Sequence, residues 1–287
     1  MRPVIIMALL LAACTSRPPE VTTGYVDVPG ARLYYEQAGS GPPLVLIHGG
    51  YLDRRMWDPQ FEQFARSHRV VRYDVRAHGL SQGDTVAFAD HEDLHRLLAA
   101  LKIERATIVG LSMGGQIATD FALTYPQMTT ALVLVGAGLG GYNFDSDEVT
   151  EYVEQLMAAL RADDFEAVIE IFTRYWCDGP HRRPEQVDPA VREQVLTMLA
   201  GSGQRWQYYD LVKQLDPPAI ERLEDIQAPA LVVVGSIDMP DIHRIADLFT
   251  ERIPNTRKVV IENVAHMVSL EKPAEFSRVV LDFLHEQ

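Results

Sequence analysis

A glycine-flanked serine is the feature of this sequence whose residue types and spacing most clearly point to chemistry. The motif Gly110-Leu111-Ser112-Met113-Gly114 lies between a strand-like apolar run, residues 106–109, and a helix-like stretch, residues 115–125. The small residues let the chain turn sharply, so that the serine hydroxyl stands clear of the backbone where the helix begins. Free N–H groups at the start of that helix favour developing negative charge. The bare G-x-S-x-G pattern is common, and its position at a strand-to-helix junction is what indicates a nucleophile for acyl transfer.

A serine is a weak nucleophile until a base removes its proton, and two later segments offer the missing groups. His266 follows the apolar run 258–261, on what we expect to be the loop after the last strand. Asp238 lies just beyond the run 230–234 and would orient the histidine. Asp241, one helical turn later, could replace Asp238 or bind substrate, although the offset from the strand favours Asp238.

A second turn, His48-Gly49-Gly50, directly follows the apolar run 43–47. With the serine motif, it makes the chain resemble the α/β-hydrolase superfamily, in its capped, single-domain branch of esterases, lactonases and carbon–carbon bond hydrolases. The resemblance implies that the backbone N–H groups of Gly50 and Met113 form the oxyanion hole. Two such donors must face the oxygen that becomes anionic in a tetrahedral intermediate. His48 lies inside the loop, and we interpret it as structural rather than as the base.

The resemblance extends over almost the whole chain, from about Gly24 to Leu284. Ala265-His266, followed by residues 271–273 and a C-terminal helix, is similar to the ending of the family. Residues 73–81 are similar to a family turn after a strand, in which we interpret Asp74 and Arg76 as structural. Leu111 departs from relatives that often have histidine there, which leaves the expected mechanism unchanged.

The function implied by the resemblance is cleavage of a carboxylic ester or lactone, through an acyl-enzyme on Ser112, in a small-molecule substrate and without a cofactor. Relatives that open epoxides or displace halide carry aspartate at the nucleophile position, so serine disfavours those reactions. One alternative is a carbon–carbon bond hydrolase that uses the same triad on a β-diketone-like substrate. Another is a hydrolase-fold binding protein whose triad only holds a ligand. The fold does not separate these functions.

One competing motif, residues 91–95, matches the H-E-x-x-H pattern of zinc enzymes. Asp93 places a charge inside the motif, and no third ligand stands at the expected spacing. We therefore predict no metal site. We interpret the segment as a solvated helix face on the flank of the sheet, away from the strand ends.

The elements that must position these residues alternate between strands and helices. Short apolar runs, typical of strands buried on both faces of a parallel sheet, recur at residues 43–47, 70–73, 106–109, 131–135, 230–234 and 258–261. A hairpin is expected around Pro29-Gly30, and helices are expected at residues 90–101 and 115–125. The pattern predicts an α/β fold, a mostly parallel sheet flanked by helices.

The alternation is interrupted between residues 139 and 222, where the patterns are helical. One helix should begin behind an Asp145-to-Glu148 capping box, and another at Asp188-Pro189 with a stop near Gly201. We predict a helical lid over 139–222, inserted into a core formed by residues 24–138 and 223–287. Its aromatic residues suit either an apolar or aromatic substrate or packing of the lid onto the core; they include Phe144, Phe172, Trp176, Trp206 and Tyr209.

The N-terminal segment is expected to direct export. The apolar run 3–13 is shorter than the roughly 20 residues that a membrane-spanning helix needs. It ends in Leu11-Ala12-Ala13-Cys14, which resembles the bacterial lipobox and implies a signal peptide over residues 1–14, with lipid on Cys14. Residues 15–23 would be a tether to a bacterial membrane, and Thr15 favours the outer one. An ordinary secretory signal with a coincidental cysteine is the alternative.

The composition limits which partners and which covalent links are expected. The formal net charge is −14, and no basic stripe is visible, which argues against nucleic acid. The only other cysteine, Cys177, lies in an apolar context, and we expect it to be a buried small hydrophobe. If Cys14 carries lipid, no intramolecular disulfide can form.

Overall fold

The computed structural model describes residues 19–83, 86–201 and 210–287, and its centre is a twisted eight-stranded sheet. The strand order is β1-β2-β4-β3-β5-β6-β7-β8. The first two strands and the β2–β4 pair are antiparallel, whereas the remaining pairs are parallel. The strands are β1 Val21–Val28, β2 Ala31–Ala38, β3 Pro43–Ile47, β4 Arg69–Tyr73, β5 Ala106–Leu111, β6 Thr129–Val135, β7 Ala230–Gly235 and β8 Thr256–Ile261.

Helices cover both faces of this sheet. They are α1 Asp58–Phe64, α2 Asp90–Ala100, α3 Met113–Thr124, α4 Asp147–Arg161, α5 Phe165–Phe172, α6 Pro189–Gly201, α7 Pro240–Arg252, α8 Val268–Glu271 and α9 Pro273–His285. One apolar core joins the sheet to α2, α3 and α7, and a second joins the opposite face to α1 and α9. The central strands are buried on both sides, which is why they read as continuous apolar runs. The predicted fold class is confirmed.

The N-terminal hairpin turns at Pro29-Gly30, and Gly30 adopts a φ of 73° there. Strand β1 begins earlier than predicted. Residues 21–23 pair with residues 36–38 of β2, so the expected tether over 15–23 is wrong for its last three residues. Backbone hydrogen bonding to the neighbouring strand overrides their polar, turn-like composition.

The region between β6 and β7 carries α4, α5 and α6. A π-helical turn, Thr173–Asp178, follows α5 directly and lies between it and α6. Helix α4 begins one residue later than predicted. Ser146, not Asp145, is its N-cap, and its hydroxyl accepts a hydrogen bond from the Val149 N–H at 3.3 Å. Helix α6 begins at Pro189 as expected, with the Asp188 carboxylate accepting a bond from the Ala190 N–H.

Several sequence predictions fall outside the described residues. Cys14, the lipobox-like residues before it, Trp206 and Tyr209 all lie there. In the part of the chain that is described, no helix is both long enough and apolar enough to cross a bilayer.

Candidate active site

The carboxyl ends of the parallel strands bring the predicted site residues to one edge of the sheet. Ser112 follows β5, and Gly50 follows the neighbouring strand β3. Asp238 and His266 lie on the loops after β7 and β8. Residues that are more than 200 positions apart in the chain therefore meet where ligands usually bind in open α/β sheets.

Ser112 occupies a strained turn between β5 and α3. Its φ of 55° and ψ of −114° are unusual for a residue with a side chain, and such strain costs about 1–3 kcal/mol. The neighbouring glycines make the turn possible. A Cβ atom on Gly110 would lie 2.1 Å from the Gly114 carbonyl oxygen, and one on Gly114 would lie 2.4 Å from the Ile47 carbonyl oxygen. The glycines of the motif are thus required by close backbone approach.

His266 and Asp238 form a buried hydrogen-bonded pair. The His266 Nδ1 lies 2.9 Å from Asp238 Oδ2 and 3.1 Å from Oδ1. The Met239 N–H also donates to Asp238 Oδ1, at 2.7 Å. Because a carboxylate accepts hydrogen bonds, Nδ1 carries the proton and the basic lone pair belongs to Nε2. Asp238 therefore fixes both the orientation and the tautomer of the ring.

Ser112 and His266 face the same small cavity, together with Gly50 and Trp176. The indole of Trp176 packs on the His266 ring, with centroids 4.7 Å apart. The hydrogen bonds among the described residues include none between the Ser112 hydroxyl and the His266 ring. Such bonds are often long in unliganded enzymes and shorten when substrate binds.

The two expected oxyanion-hole donors lie beside Ser112. Neither the Gly50 N–H nor the Met113 N–H donates a hydrogen bond to another group in the described part of the chain. The Met113 N–H belongs to the first turn of α3, where helices leave their donors unsatisfied. A Cβ atom on Gly50 would still be 3.8 Å from the nearest atom of Met113, so there is space for an oxygen between these residues.

Asp241, the alternative to Asp238, does not bond to His266. It holds the start of the inserted helical region. Its carboxylate accepts hydrogen bonds from the Tyr142 hydroxyl at 3.0 Å and the Ser146 N–H at 3.1 Å, and it pairs with Arg244. Burial alone would raise its pKa, but the hydrogen bonds from Ser146 and Tyr142 outweigh it and lower the pKa. Asp241 is thus a charged anchor for the segment that leads into α4.

His48 is engaged at both ring nitrogens, as expected of a structural residue. The Val75 N–H donates to its Nε2 at 2.9 Å, and its Nδ1 lies 2.8 Å from the Gly49 carbonyl oxygen. Asp74 and Arg76 are also buried in the fold. Asp74 pairs with Arg54, and Arg76 pairs with Asp93 at 2.7 Å.

The interpretation of residues 91–95 as a solvated helix face is wrong. His91 and Asp93 are buried, and His91 lines the larger cavity described below. The Arg76–Asp93 ion pair draws the first turn of α2 inward. His95 instead stacks on Tyr125, with ring centroids 4.2 Å apart, so the two histidines of the motif have different neighbours. In the described residues no group of three or more His, Cys, Asp or Glu could hold a metal ion.

Gly136 is a site residue that the sequence analysis missed. It follows β6, the strand between those that carry Ser112 and Asp238, and it has a φ of 46°. A Cβ atom there would lie 3.0 Å from His266 Nδ1 and 3.2 Å from Asp238 Oδ2. Only a glycine leaves the hydrogen-bonded pair undisturbed. A single glycine after a buried strand carries no distinctive signal in one sequence.

Glu271 is a second residue whose role becomes visible only in three dimensions. Its Oε1 accepts a hydrogen bond from the Ala265 N–H at 2.9 Å, directly beside His266. The same carboxylate pairs with Arg182, from the inserted region, at 2.7 Å. The loop that carries His266 is therefore tied to that region through a largely buried ion pair.

Two cavities meet at Ser112. The smaller, of about 150 Å³, is lined by Gly49, Gly50, Tyr51, Leu52, Leu111, Ser112, Tyr152, Phe172, Trp176, His266 and Met267. We call it the small chamber. The large chamber, of about 410 Å³, shares Gly50, Tyr51, Ser112, Tyr152 and Trp176 with it and adds Asp90, His91, Met113, Gln116, Ile117, Asp120, Gly138, Phe144, Val149, Val153, Val212, Lys213, Gln214 and Ile242.

Burial controls the ionisation of three groups near the chambers. It raises the pKa of Tyr152 and that of the Cys177 thiol to about 12, so both remain protonated at neutral pH. Cys177 is fully buried, as expected, and its thiol is not poised for nucleophilic attack. Burial, reinforced by the carboxylate of Asp90, raises the pKa of Asp120 to about 7.

Known proteins resemble this chain in the sequence and the fold that carry this geometry. Residues 42–273 match the sequence profile of the alpha/beta hydrolase fold. A 2-hydroxy-6-oxononadienedioate/2-hydroxy-6-oxononatrienedioate hydrolase from Burkholderia vietnamiensis is 31% identical over 283 residues, which cover 92% of this chain and 96% of that protein.

Two solved structures are similar over nearly their whole length. A thermophilic esterase from Thermogutta terrifontis matches with a TM-score of 0.78 and 25% identity, over 92% of this chain and 98% of the esterase. The enol-lactonase from Burkholderia xenovorans LB400 matches with a TM-score of 0.77 and 25% identity, over 91% of this chain and all of that structure.

Proposed function

The chain belongs to the alpha/beta hydrolase fold family, and on this premise we propose that it is a serine hydrolase that cleaves a carboxylic ester or lactone. The observation that carries the proposal is the buried hydrogen bond from His266 to Asp238, at 2.9 Å, facing the chamber that also contains Ser112. This arrangement supplies a nucleophile, a base and the group that orients the base.

The first half of the proposed reaction forms an acyl-enzyme. The Nε2 atom of His266 takes the proton of the Ser112 hydroxyl as Oγ attacks the substrate carbonyl carbon. The carbonyl oxygen becomes anionic and accepts hydrogen bonds from the Gly50 and Met113 N–H groups. The bond to the leaving oxygen then breaks, and His266 returns the proton to that oxygen. The acyl group remains on Ser112.

The second half releases the acid. His266 takes a proton from water, whose oxygen attacks the acyl carbon through a second tetrahedral intermediate in the same oxyanion hole. The bond to Ser112 Oγ breaks, and the serine recovers its proton from His266. Asp238 stabilises the imidazolium in both halves without becoming protonated.

We further propose that residues 139–222 act as a lid over the substrate. Tyr152 of α4 and Trp176 of the π-helical turn line both chambers, which supports this role. The ion pairs of Arg182 with Glu271 and of Arg244 with Asp145 would hold the lid in register with the His266 loop and with α7, which follows Asp238.

A carbon–carbon bond hydrolase is the second candidate, favoured by the 31% identical Burkholderia vietnamiensis hydrolase. The name of that enzyme's substrate describes a dioate, which carries two carboxylates. Among the described residues, the large chamber presents the acids Asp90 and Asp120 and, as its basic lysine, the exposed Lys213. Two buried acids disfavour a dianionic substrate. We therefore rank ester or lactone cleavage first.

Turnover and covalent trapping together test the proposal. The protein and Ser112→Ala would be assayed on matched aryl esters, on lactones and on a vinylogous diketone, and acid-quenched samples would be weighed by intact mass spectrometry. We expect ester or lactone hydrolysis with a mass increase of one acyl group, both lost in Ser112→Ala. Cleavage of the diketone alone would favour the second candidate. Saturable binding without turnover or adduct would favour a ligand-binding protein.

For the N-terminal segment, we propose export and lipidation at Cys14, with a small-molecule substrate met outside the cytoplasm. The support is the sequence Leu11-Ala12-Ala13-Cys14 after an apolar run. The full chain would be expressed in a bacterium fed an alkynyl palmitate analogue and compared with Cys14→Ser. Label that depends on Cys14 supports the anchor, whereas secretion of unlabelled protein supports an ordinary signal peptide.

A further inference from the structure

One face of α3 forms a wall of the large chamber. The residues that line it are Met113, Gln116, Ile117 and Asp120, with the i, i+3, i+4, i+7 spacing of a single helix face. Ser112 precedes this helix, so the chamber extends along the helix from the nucleophile to Asp120. At 1.5 Å per residue, these two positions are about 12 Å apart along the axis.

Asp120 is an unusual residue to find in such a wall. It is only 6% exposed, and its Oδ1 has no hydrogen-bond partner in the described part of the chain. Buried polar atoms are nearly always paired, because a buried oxygen without a partner has lost its hydrogen bonds to water and gained none in return. Within the described ranges no ion pair includes Asp120, so the side chain is explained neither by such a pair nor by the His266–Asp238 hydrogen bond.

The groups that face Asp120 make this end of the chamber acidic. From α2, Asp90 and His91 line the same cavity, and Asp90 is close enough to raise the pKa of Asp120. From the segment before β7, Lys213 also lines it, but its side chain is exposed to solvent. An exposed ammonium group is well screened and compensates a buried carboxylate only weakly.

Aromatic rings complete the enclosure. Phe144, Tyr152 and Trp176 line the large chamber from the inserted region. Aromatic faces attract cations, and the attraction is stronger where water is excluded. Tyr152 and Trp176 also line the small chamber and so lie towards Ser112, whereas the unpaired buried acid lies at the Asp120 end. The chamber therefore matches a substrate with a cationic end at Asp120 better than one with an anionic end or a plain alkyl chain.

We propose that the end of the large chamber at Asp120 binds an ammonium group, so that the substrate is an ester or lactone bearing an amine distant from its reacting carbonyl. The assignment of the substrate class rests on the proposed function, whereas the ammonium site does not need turnover. Asp120 accepts the hydrogen bond or ion pair of the ammonium group, Asp90 adds negative charge, and the reacting carbonyl lies at Ser112.

Binding of simple ligands tests the site without catalysis. Hexylammonium, 1-hexanol and hexanoate would be titrated by calorimetry at pH 8 into the protein, Ser112→Ala, Asp120→Asn and the surface control Asp282→Asn. A charge-assisted hydrogen bond contributes about 1.5–3 kcal/mol. We therefore expect hexylammonium to bind at least about tenfold more tightly than hexanol, with hexanoate weakest. The preference should persist in Ser112→Ala and Asp282→Asn and fall towards one in Asp120→Asn.

The pH dependence supplies a second readout. Since the pKa of Asp120 is about 7, hexylammonium should bind more weakly at pH 6 than at pH 8, and hexanol equally at both. Asp120→Asn should remove most of this difference, and what persists would come from His91, whose pKa is lowered by burial. Circular dichroism would verify that each variant is folded.

The site would be overturned by equal binding of hexylammonium and hexanol by the folded protein, or by a preference for hexylammonium that survives in folded Asp120→Asn. Tighter binding of hexanoate would overturn it as well. Failure of the proposed function looks different, because ammonium binding would then persist while no ester or lactone is turned over and no adduct forms.

Discussion

Two buried carboxylates at this site have opposite surroundings. Asp238 accepts hydrogen bonds from His266 and from the Met239 N–H. Asp120, at the end of the large chamber away from Ser112, has an Oδ1 without a partner in the described residues. A carboxylate that orients a catalytic ring must be held before substrate arrives, whereas one that recognises a ligand is left open for it. On this comparison, Asp238 serves the chemical step by orienting His266, and Asp120 serves the recognition of the substrate.

The two chambers also differ in the charge of the side chains that line them. Besides Ser112 and His266, the small chamber is lined mostly by glycine, aliphatic and aromatic residues. The large chamber adds Asp90, His91 and Asp120. The difference predicts that chemistry depends on the first and discrimination among substrates on the second.

Ser112→Ala should have the largest effect. Removing the nucleophile of a triad lowers kcat by roughly 10⁶-fold, as in other serine hydrolases, because no acyl-enzyme can form. Steady-state hydrolysis of an aryl ester measures this. Residual activity within a hundredfold of the parent, in protein free of parent contamination, would contradict the assignment of Ser112.

Asp238→Asn should lower kcat by roughly 10³–10⁴-fold, because the amide stabilises the wrong tautomer of His266. The matched control is Asp241→Asn, which weakens the bonds to Tyr142 and Ser146 but leaves His266 paired. We expect the control to lower kcat by less than about tenfold, since it affects the anchor of the segment that leads into α4 and not the base. Equal losses in the two variants would break the distinction between them.

Asp120→Asn should stabilise the fold in a pH-dependent manner. The pKa of Asp120 is raised from 3.8 to about 7, so between these values the folded protein keeps a proton that the unfolded chain releases. The free energy of unfolding therefore falls as pH rises through this window, by about 4 kcal/mol when complete. Asparagine lacks this penalty. The Tm difference between variant and parent should be several degrees larger at pH 8 than at pH 4. A pH-independent difference would show that Asp120 is not the group concerned.

Gly136→Ala should have the smallest effect of the series, and it tests how tightly the pair is enclosed. The added methyl would sit 3.0 Å from His266 Nδ1 at a positive φ, which costs about 1–2 kcal/mol of stability and shifts the ring. We expect kcat to fall roughly tenfold, because small misplacements of catalytic groups are costly. Gly201→Ala is the control, since its Cβ would meet no atom of the described residues within 4 Å. Chemical denaturation and ester hydrolysis would measure both effects.

The sequence predicted those features that a pattern of neighbouring residues indicates by itself. Ser112 stands in a glycine-rich turn, and the buried strands appear as continuous apolar runs. The offset from the strand favoured Asp238 over Asp241, and the structure supplies the physical reason: Asp238 bonds to His266, whereas Asp241 bonds to the segment before α4.

Other features were hidden for physical reasons. Asp120 sits in an ordinary helical pattern, and its burial depends on the distant α2 and on the inserted region. His91 was expected to be solvated, because a polar helix start gives no sign that an ion pair will draw it inward. Gly136 acts only through two residues that are more than 100 positions away in the chain.

The most direct test of the account is the rate at which a neutral fluorophosphonate labels the protein, with the modified residue mapped by peptide mass spectrometry. A chain beginning after Cys14 would be compared with Asp238→Asn and with the surface control Asp282→Asn, with and without a chelator. The account predicts labelling of Ser112 that ignores chelator, slows by roughly 10³-fold or more in Asp238→Asn and is unaffected in Asp282→Asn. Folded protein that does not label, or that labels at a residue other than Ser112, would contradict it.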